Sequence, residues 1–575
     1  MTKKEIKVSD YLANRLSKES RYVFAGNGSS ILHVLQSFSK IRNMKIIPCQ
    51  NEQGSSIAAD AYSRISNNKI GVVVTTSGPG TLNTFQGIAS SYYDSISAIY
   101  ISGAPVTDHI RKKNSKLRQL GFQEMDMVKI TKSFTKYSTR IEKPSDIVKE
   151  LEKCIQISKS NRPGPCLIEI PDDIQRSYFL KKKIKLSQNK ELNKKNEYKN
   201  ILKKFNKYLN NSKKPLVIIG YGARISNAEK IIINFFKKNQ IPFTLTWPVA
   251  DLANDNDKLF CGSFGAYATQ YGNKSVQSAD LLIIVGCRLN PTHIGGNPKL
   301  FNPNAKKIKI DIDPNEMSQE NGILIDCKIQ TDCKIFFQQL IQYKKISKNK
   351  NWISEVNFYK KNHPVIRGIN YKDKIHVDPY VFFKYLSKKI TKKSTIINDT
   401  SCNMVWMHQS FQFKKNQRVY SAYNHSPMGY SVAASLGFYL GDKKNDIISI
   451  IGDGGIQMNI QELQSIKHFG VPVKIFLFNN NSLGMVKQAM DTWFNKKYVA
   501  CNPASDLTFP DFSKIANSYG IKYTEINNNY EIKKKLNYLF KKKQTIICNI
   551  KINPDKKMSP KVKLGSPIEE MEYLD

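Results

Sequence analysis

Short apolar runs alternate with longer stretches of helical period along most of the chain. Residues 22–25, 44–48, 71–76 and 98–102 read as buried strands with helical segments between them, and so do 215–219 and 281–285, then 447–451 and 473–478. Strands that alternate with helices predict an α/β fold of doubly wound parallel sheets. Three consecutive domains are expected, over residues 1–175, 206–345 and 365–555. A charged, Lys/Asn-rich linker (176–205) joins the first two, and a tail (556–575) follows the third. A chain of 575 residues is long enough for three such cores.

The strands end in turns with small side chains. Strand 447–451 empties into Gly452-Asp453-Gly454-Gly455, and 473–478 ends in Asn479-Asn480-Asn481. Asn480 follows Asp453 by 27 residues, which is one strand-helix-strand crossover. Both then emerge at the carboxyl ends of neighbouring parallel strands, where open α/β sheets bind ligands. A carboxylate (Asp453), an amide oxygen (Asn480) and a backbone carbonyl (Ser482) form an oxygen-only set suited to Mg²⁺ shared with a phosphorylated ligand. A glycine turn with no ligand is the bland alternative for GDG alone. Glu52 sits where strand 44–48 hands over to an Ala-rich helix, a place where a carboxylate is also favoured simply by the helix dipole.

Charge alters this picture less than its size suggests. There are 89 Lys+Arg against 47 Asp+Glu, a formal +42, which would ordinarily raise nucleic acid or an anionic membrane as partners. The lysines are scattered beside many Asn and Ile rather than gathered in a stripe, and no nucleic-acid motif is present. Neither partner is therefore expected. The ten cysteines contain no CxxC pair, which fits a reducing compartment. With no apolar leader and no apolar run near the ~20 residues of a membrane span, the expectation is cytoplasmic.

GDG and NN at this spacing, with QEL, PVK and LGMV around them, resemble the diphosphate-binding signature of thiamine-diphosphate (ThDP) enzymes, specifically the acetohydroxyacid (acetolactate) synthase family. Asn51-Glu52-Gln53-Gly54 is similar to that family's HEQG, TSGPGTLN matches it, and Gly121-Phe122-Gln123-Glu124 is similar to AFQE. The resemblance implies pyrimidine-binding, central and diphosphate-binding domains in that order. It implies that Glu52 contacts the aminopyrimidine of ThDP, that Phe122 and Gln123 lie toward the reacting carbon, and that Met428, in Ser426-Pro427-Met428-Gly429, wedges under the bent cofactor. Ser401, Cys402 and Asn403 replace the family's GQHQ beside the diphosphate, and Gly452, Gly454, Gly455 and Met485 complete the cofactor contacts. The reaction implied is decarboxylation of a 2-keto acid, most simply pyruvate, with transfer of the acyl unit to a carbonyl acceptor. An obligate homodimer or dimer of dimers is implied, with Glu52 and GDG of one site on different subunits; a regulatory small subunit is left open.

Four departures bear on function. PKD of the family reads Pro171-Asp172-Asp173, and the QWQ tryptophan is replaced by Ala489, with Trp493 one turn later. The family's RFDDR reads Arg288-Leu289-Asn290-Pro291-Thr292, so FAD in the central unit and a vestigial unit both stay open. The tail is expected to cap the site as a lid, and resembles relatives linked to surface-polysaccharide sugars. His425 is either an active-site acid or a structural histidine. Three readings result: an acetolactate synthase, a relative using a larger carbonyl such as a nucleotide-linked keto sugar, and a non-catalytic homologue, against which Glu52, Asp453 and Asn480 speak.

Overall fold

The computed structural model describes residues 5–66, 69–112, 114–180, 195–318, 321–340 and 350–574. The apolar runs form three all-parallel sheets, whose strands are buried because crossover helices cover both faces. In the first, β1 (Tyr22–Ala25), β2 (Lys45–Pro48), β3 (Gly71–Thr75), β4 (Ala98–Ala104), β5 (Tyr137–Arg140) and β6 (Pro165–Pro171) lie in the order β2-β1-β3-β4-β6-β5. The central sheet holds β7 (Pro215–Ile219), β8 (Phe243–Leu245), β9 (Leu281–Val285), β10 (Lys306–Asp311) and β11 (Cys327–Gln330), in the order β8-β7-β9-β10-β11. The third holds β12 (Ser394–Asn398), β13 (Arg418–Tyr420), β14 (Asp446–Gly452), β15 (Lys474–Asn479), β16 (Lys522–Ile526) and β17 (Ile546–Lys551). Its order, β13-β12-β14-β15-β17-β16, repeats that of the first sheet. In all three the winding reverses between the first and third strands, which opens a crevice at their carboxyl ends.

The first and third units meet through two equivalent helices, each following the second strand of its sheet. Helix α1 (Glu52–Ile65) is capped by Asn51, whose side chain accepts from Gln53 N, and helix α2 (Tyr430–Gly441) is apolar nearly all round, as a helix enclosed by protein must be. Small residues let them approach: a Cβ on Gly437 would lie 2.0 Å from the Ala58 carbonyl oxygen. Between them lies a buried ionic cluster. Arg64 Nε donates to Asp60 at 2.7 Å and its Nη1 to Asp94 at 2.9 Å, and Arg64 Nη1 also reaches the Ser421 carbonyl at 2.9 Å.

Part of the expected linker is structured. Helix Lys195–Asn211 begins inside it and buries Leu202, Phe205 and Leu209 against the central sheet. Their spacing is helical, but lysines on the other positions hide the pattern; residues 181–194 lie outside the described residues. The tail is a strap rather than a free lid. Lys561–Val562 pairs antiparallel with Met571–Glu572, and Asn273 of the central unit donates to the Ile568 carbonyl at 2.7 Å. No helix among the described residues is long and apolar enough to cross a membrane.

Candidate active site

At the crevice of the third sheet, three oxygens turn on one point. Asp453 follows β14 and Asn480 follows β15, and Asn480 N donates to Asp453 Oδ2 at 3.1 Å. Asn480 Oδ1 faces the Ser482 carbonyl oxygen at 2.8 Å and Asp453 Oδ2 at 3.3 Å, while Nδ2 reaches Ser482 Oγ at 3.0 Å. Acceptors this close repel. Turning the amide over satisfies its hydrogen bonds within the protein, donating to the Ser482 carbonyl and Asp453 Oδ2 and accepting from Ser482 Oγ; with a divalent cation bound, the other orientation would present all three oxygens as ligands. Asp453 is 2% exposed, and burial pushes its carboxyl up to about 7 despite the amides of Gly454, Ser482, Asn480 and Asn481. A bound cation would favour its charged form at neutral pH. Among the described residues there is no metal-sized group of three His, Cys, Asp or Glu side chains; this set would hold Mg²⁺ through mixed oxygens instead.

Leu483 and Met428 close over the glycine turn. A Cβ on Gly454 would lie 2.6 Å from Leu483 Cδ2 and 3.2 Å from Met428 Cε. Met428 is aimed by a residue that the sequence reading missed. Asp399, at the end of β12, accepts from Gly429 N at 3.1 Å and Ser431 N at 2.9 Å, and burial raises its pKa to about 6. An acidic residue closing a buried strand was its only signal. Ser426 Oγ lies 2.6 Å from Thr400 Oγ1, tying the same loop to the turn after β12. In that turn Ser401 adopts φ 79°, ψ −154°, a conformation almost confined to glycine. Cys402 is buried and its thiol is pushed up to about 12 by desolvation, so it is neutral. Asn403 faces inward, donating to Asn398 Oδ1 at 2.9 Å and the Asp399 carbonyl at 3.0 Å. Its amide hydrogens are thus directed to protein rather than to a diphosphate. Met485 is half-buried against the apolar core under β15.

Glu52, Phe122 and Gln123 gather at the crevice of the first sheet. Glu52 Oε2 accepts from Asn83 Nδ2 at 3.0 Å. Gln123, at φ 57°, presses its carbonyl onto Gly78 in the turn after β3. Phe122 is 85% exposed. Ala489 is exposed on helix Gly484–Trp493, and Trp493, 60% exposed, stands one turn along on the same face. Gln488, on the buried side, grips the tail: it donates to the Met558 carbonyl at 3.2 Å and accepts from Met558 N at 2.8 Å. His425 Nε2 donates to Gln86 Oε1 at 2.8 Å and the ring stacks on Tyr93, and burial lowers its pKa. A neutral, doubly held ring fits the structural role.

The crevice of the central sheet opens into a cavity of about 630 Å³ lined by Gly220, Gly222, Gly286, Arg288, Asp311 and Asp332 among others. Arg288 donates to Asn424 Oδ1, and Asn424 N donates to Asp94 at 3.1 Å, so the cavity's wall reaches the loop before Met428.

Three doubly wound sheets, with an oxygen-rich turn at one switch point and a glutamate at another, have the arrangement of an enzyme that seats a diphosphate-bearing cofactor. The family described as "Thiamine pyrophosphate enzyme, N-terminal TPP binding domain" matches residues 6–130, its central domain residues 202–340, and its C-terminal TPP binding domain residues 399–550. The acetolactate synthase large subunit of Cyanidium caldarium is 30% identical over 532 residues, covering 89% of this chain and 87% of that protein. That of Buchnera aphidicola subsp. Schizaphis graminum is 29% identical over 564 residues (96% and 95%), and that of Lactococcus lactis subsp. lactis 27% over 554 (96% and 93%). The chain belongs to the ThDP-dependent enzymes of the acetohydroxyacid synthase family.

Proposed function

We propose that the protein decarboxylates pyruvate and transfers the two-carbon unit to a second carbonyl compound, with ThDP held through Mg²⁺. The observation that supports this reading is the meeting of Asp453 and Asn480 at the carboxyl ends of paired parallel strands, with Asn480 N donating to Asp453 Oδ2 at 3.1 Å. Bound ThDP supplies the nucleophilic carbon that accepts the acyl unit as CO₂ leaves. The chain's own residues orient and protect. Met428 supports the cofactor from below, Gly454 and Gly455 admit its diphosphate, and Glu52 holds a proton at its carboxylate toward the aminopyrimidine. Gln123 and Phe122 line the path of the second substrate. Exposed apolar side chains on the loops that carry these groups, Leu117, Leu120, Phe122, Trp493, Phe494 and Val499, support a homodimer in which a second copy covers them and Glu52 serves the partner's cofactor.

A second reading is favoured by one observation. Ala489 leaves the acceptor face of its helix open, with Trp493 beside it as a flat apolar surface, and this suits an acceptor larger than a second keto acid, such as a nucleotide-linked keto sugar. The central cavity suits FAD in size. Its glycines would let backbone approach a diphosphate and Asp311 would meet a ribose hydroxyl. Flavin there would serve structure and no redox step.

The test is Glu52→Gln with pyruvate, ThDP and Mg²⁺. ThDP binding survives and turnover is lost; normal turnover sinks the assignment. Acetolactate formed from pyruvate alone supports the small-acceptor reading, and pyruvate consumption only with a keto sugar present supports the larger one.

A further inference from the structure

We infer that Glu462 is a positioning residue that fixes the Glu52 turn against the loop carrying Met428. The inference rests on the assignment of Glu52 above. Glu462 opens the helix Glu462–His468, a few residues beyond Asp453, and is 2% exposed. Two of its partners nevertheless come from the first unit. Glu462 Oε1 accepts from Asn51 N at 3.0 Å and Oε2 from Gln50 N at 3.4 Å, with Ser465 Oγ donating to Oε2 at 2.6 Å. Asn51 and Gln50 are the two residues before Glu52. A Cβ on Gly54 would lie 2.3 Å from the Glu462 carboxyl carbon, so glycine there is what lets the carboxylate sit on the turn.

Asn459, one turn earlier, completes the clamp. Its Oδ1 accepts from Gln53 Nε2 at 3.2 Å and its Nδ2 donates to the Gly429 carbonyl at 3.1 Å. Glu462 thus holds the backbone just before Glu52, while Asn459 holds the Gln53 side chain just after it and the carbonyl of Gly429, one residue from Met428. The Asp453 segment that binds the cation leads directly into this clamp.

Burying a carboxylate with no cation against it is unfavourable unless N–H donors replace water. An apolar side chain would fill the same space without that penalty. What it could not supply is direction, because the two amides fix both the position and the rotation of the strand-to-helix turn. Proton transfer at a cofactor nitrogen demands such placement, and a misplacement of about 1 Å costs about 100-fold in rate. In a dimer where Glu52 and Met428 of one chain serve opposite sites, the clamp also makes one rigid body of parts belonging to both.

The experiment uses the holoenzyme carrying Glu462→Ala, Glu462→Gln or Asn459→Ala, beside Glu52→Gln. In Glu462→Ala kcat falls between about 10- and 100-fold while KM for pyruvate and ThDP affinity, read by fluorescence titration, stay within about twofold. Glu462→Gln, which keeps one acceptor oxygen, falls in between, and Asn459→Ala gives the same pattern more weakly should Glu462→Ala fold poorly. Amide hydrogen exchange at Gln50 and Asn51 quickens in both Glu462 variants. Wild-type kcat in Glu462→Ala, or ThDP affinity lost in step with kcat, overturns the inference. An inactive Glu52→Gln beside a fully active Glu462→Ala removes the clamp alone, whereas an active Glu52→Gln removes the Glu52 assignment beneath it.

Discussion

The hydroxyl of Tyr430 donates to Asp60 Oδ2 at 2.7 Å, joining the first helical turn of α2 to the middle of α1 inside the protein. Arg64 chelates the same carboxylate and reaches Asp94, with its side chain 2% exposed. Removing one partner from such a cluster leaves a charge or donor buried without compensation. Tyr430→Phe should cost about 1–3 kcal/mol, and Arg64→Met about 3–5 kcal/mol, because it strands two carboxylates. Urea unfolding curves of the two variants, compared with the parent, test the order.

Asp453 carries the one formal charge among the three convergent oxygens. Asp453→Asn should weaken ThDP binding by about 100-fold, or roughly 3 kcal/mol, and abolish the difference between titrations with and without Mg²⁺. Calorimetric titration of ThDP reads both effects. Chelating the metal from the parent protein should reproduce the loss, and Mg²⁺ should restore it.

Ser401 occupies backbone space that glycine fills without strain. Strain of about 1–3 kcal/mol at such a residue outweighs the roughly 0.5–1 kcal/mol that glycine's freedom costs in the unfolded chain. Ser401→Gly should therefore raise the melting temperature, and a lower one would show that the serine hydroxyl has a stabilising partner.

His408 stacks on Trp247 with ring centroids 5.0 Å apart, at the contact of the third and central units, and burial alone lowers its pKa to about 3. A base whose folded pKa is depressed stabilises the protein above its unfolded pKa, near 6.5, and that stability is lost as pH falls toward 3. Between pH 7.5 and pH 5 the loss is about 2 kcal/mol from this residue. His408→Phe, which keeps the stacking ring, should lose less over that interval in denaturant unfolding at the two pH values.

The fold was legible from apolar runs of strand length, because parallel strands buried on both faces leave no alternation to confuse. Where Asp453 and Asn480 lie was legible for a related reason: each directly follows one of those strands, so finding the strands locates the crevice. Asp399, Asn459 and Glu462 were not: the first and last accept from backbone amides of other elements, and Asn459 meets a backbone carbonyl and the Gln53 side chain, and backbone groups leave no mark on sequence. The helix from Lys195 was masked by lysines on its outer face, and the tail's attachment depends on Gln488 and Asn273, long polar side chains common on any surface.

Ala489 and Trp493 share a face of the helix beyond Asn480. Ala489→Trp should narrow the acceptor space, lowering turnover with a keto-sugar acceptor by 10-fold or more while leaving pyruvate decarboxylation near its original rate; the ratio of the two activities, on about the scale of 1–3 kcal/mol for pocket contacts, is the measurement.

The first and third sheets share one strand order, and their equivalent helices α1 and α2 pack on each other. The chain is in this sense two versions of a single design folded against one another, and the versions have divided the labour. Where the third unit places Asp453 after its third strand in sheet order of appearance, the first unit has Thr76-Ser77-Gly78, without a carboxylate. Where the first unit begins α1 with Glu52, the third leads into α2 with Met428 and Gly429. On the proposed assignment the two crevices carry different groups, so neither alone would be equipped for the chemistry, and a change in one half would have to stay matched to its counterpart.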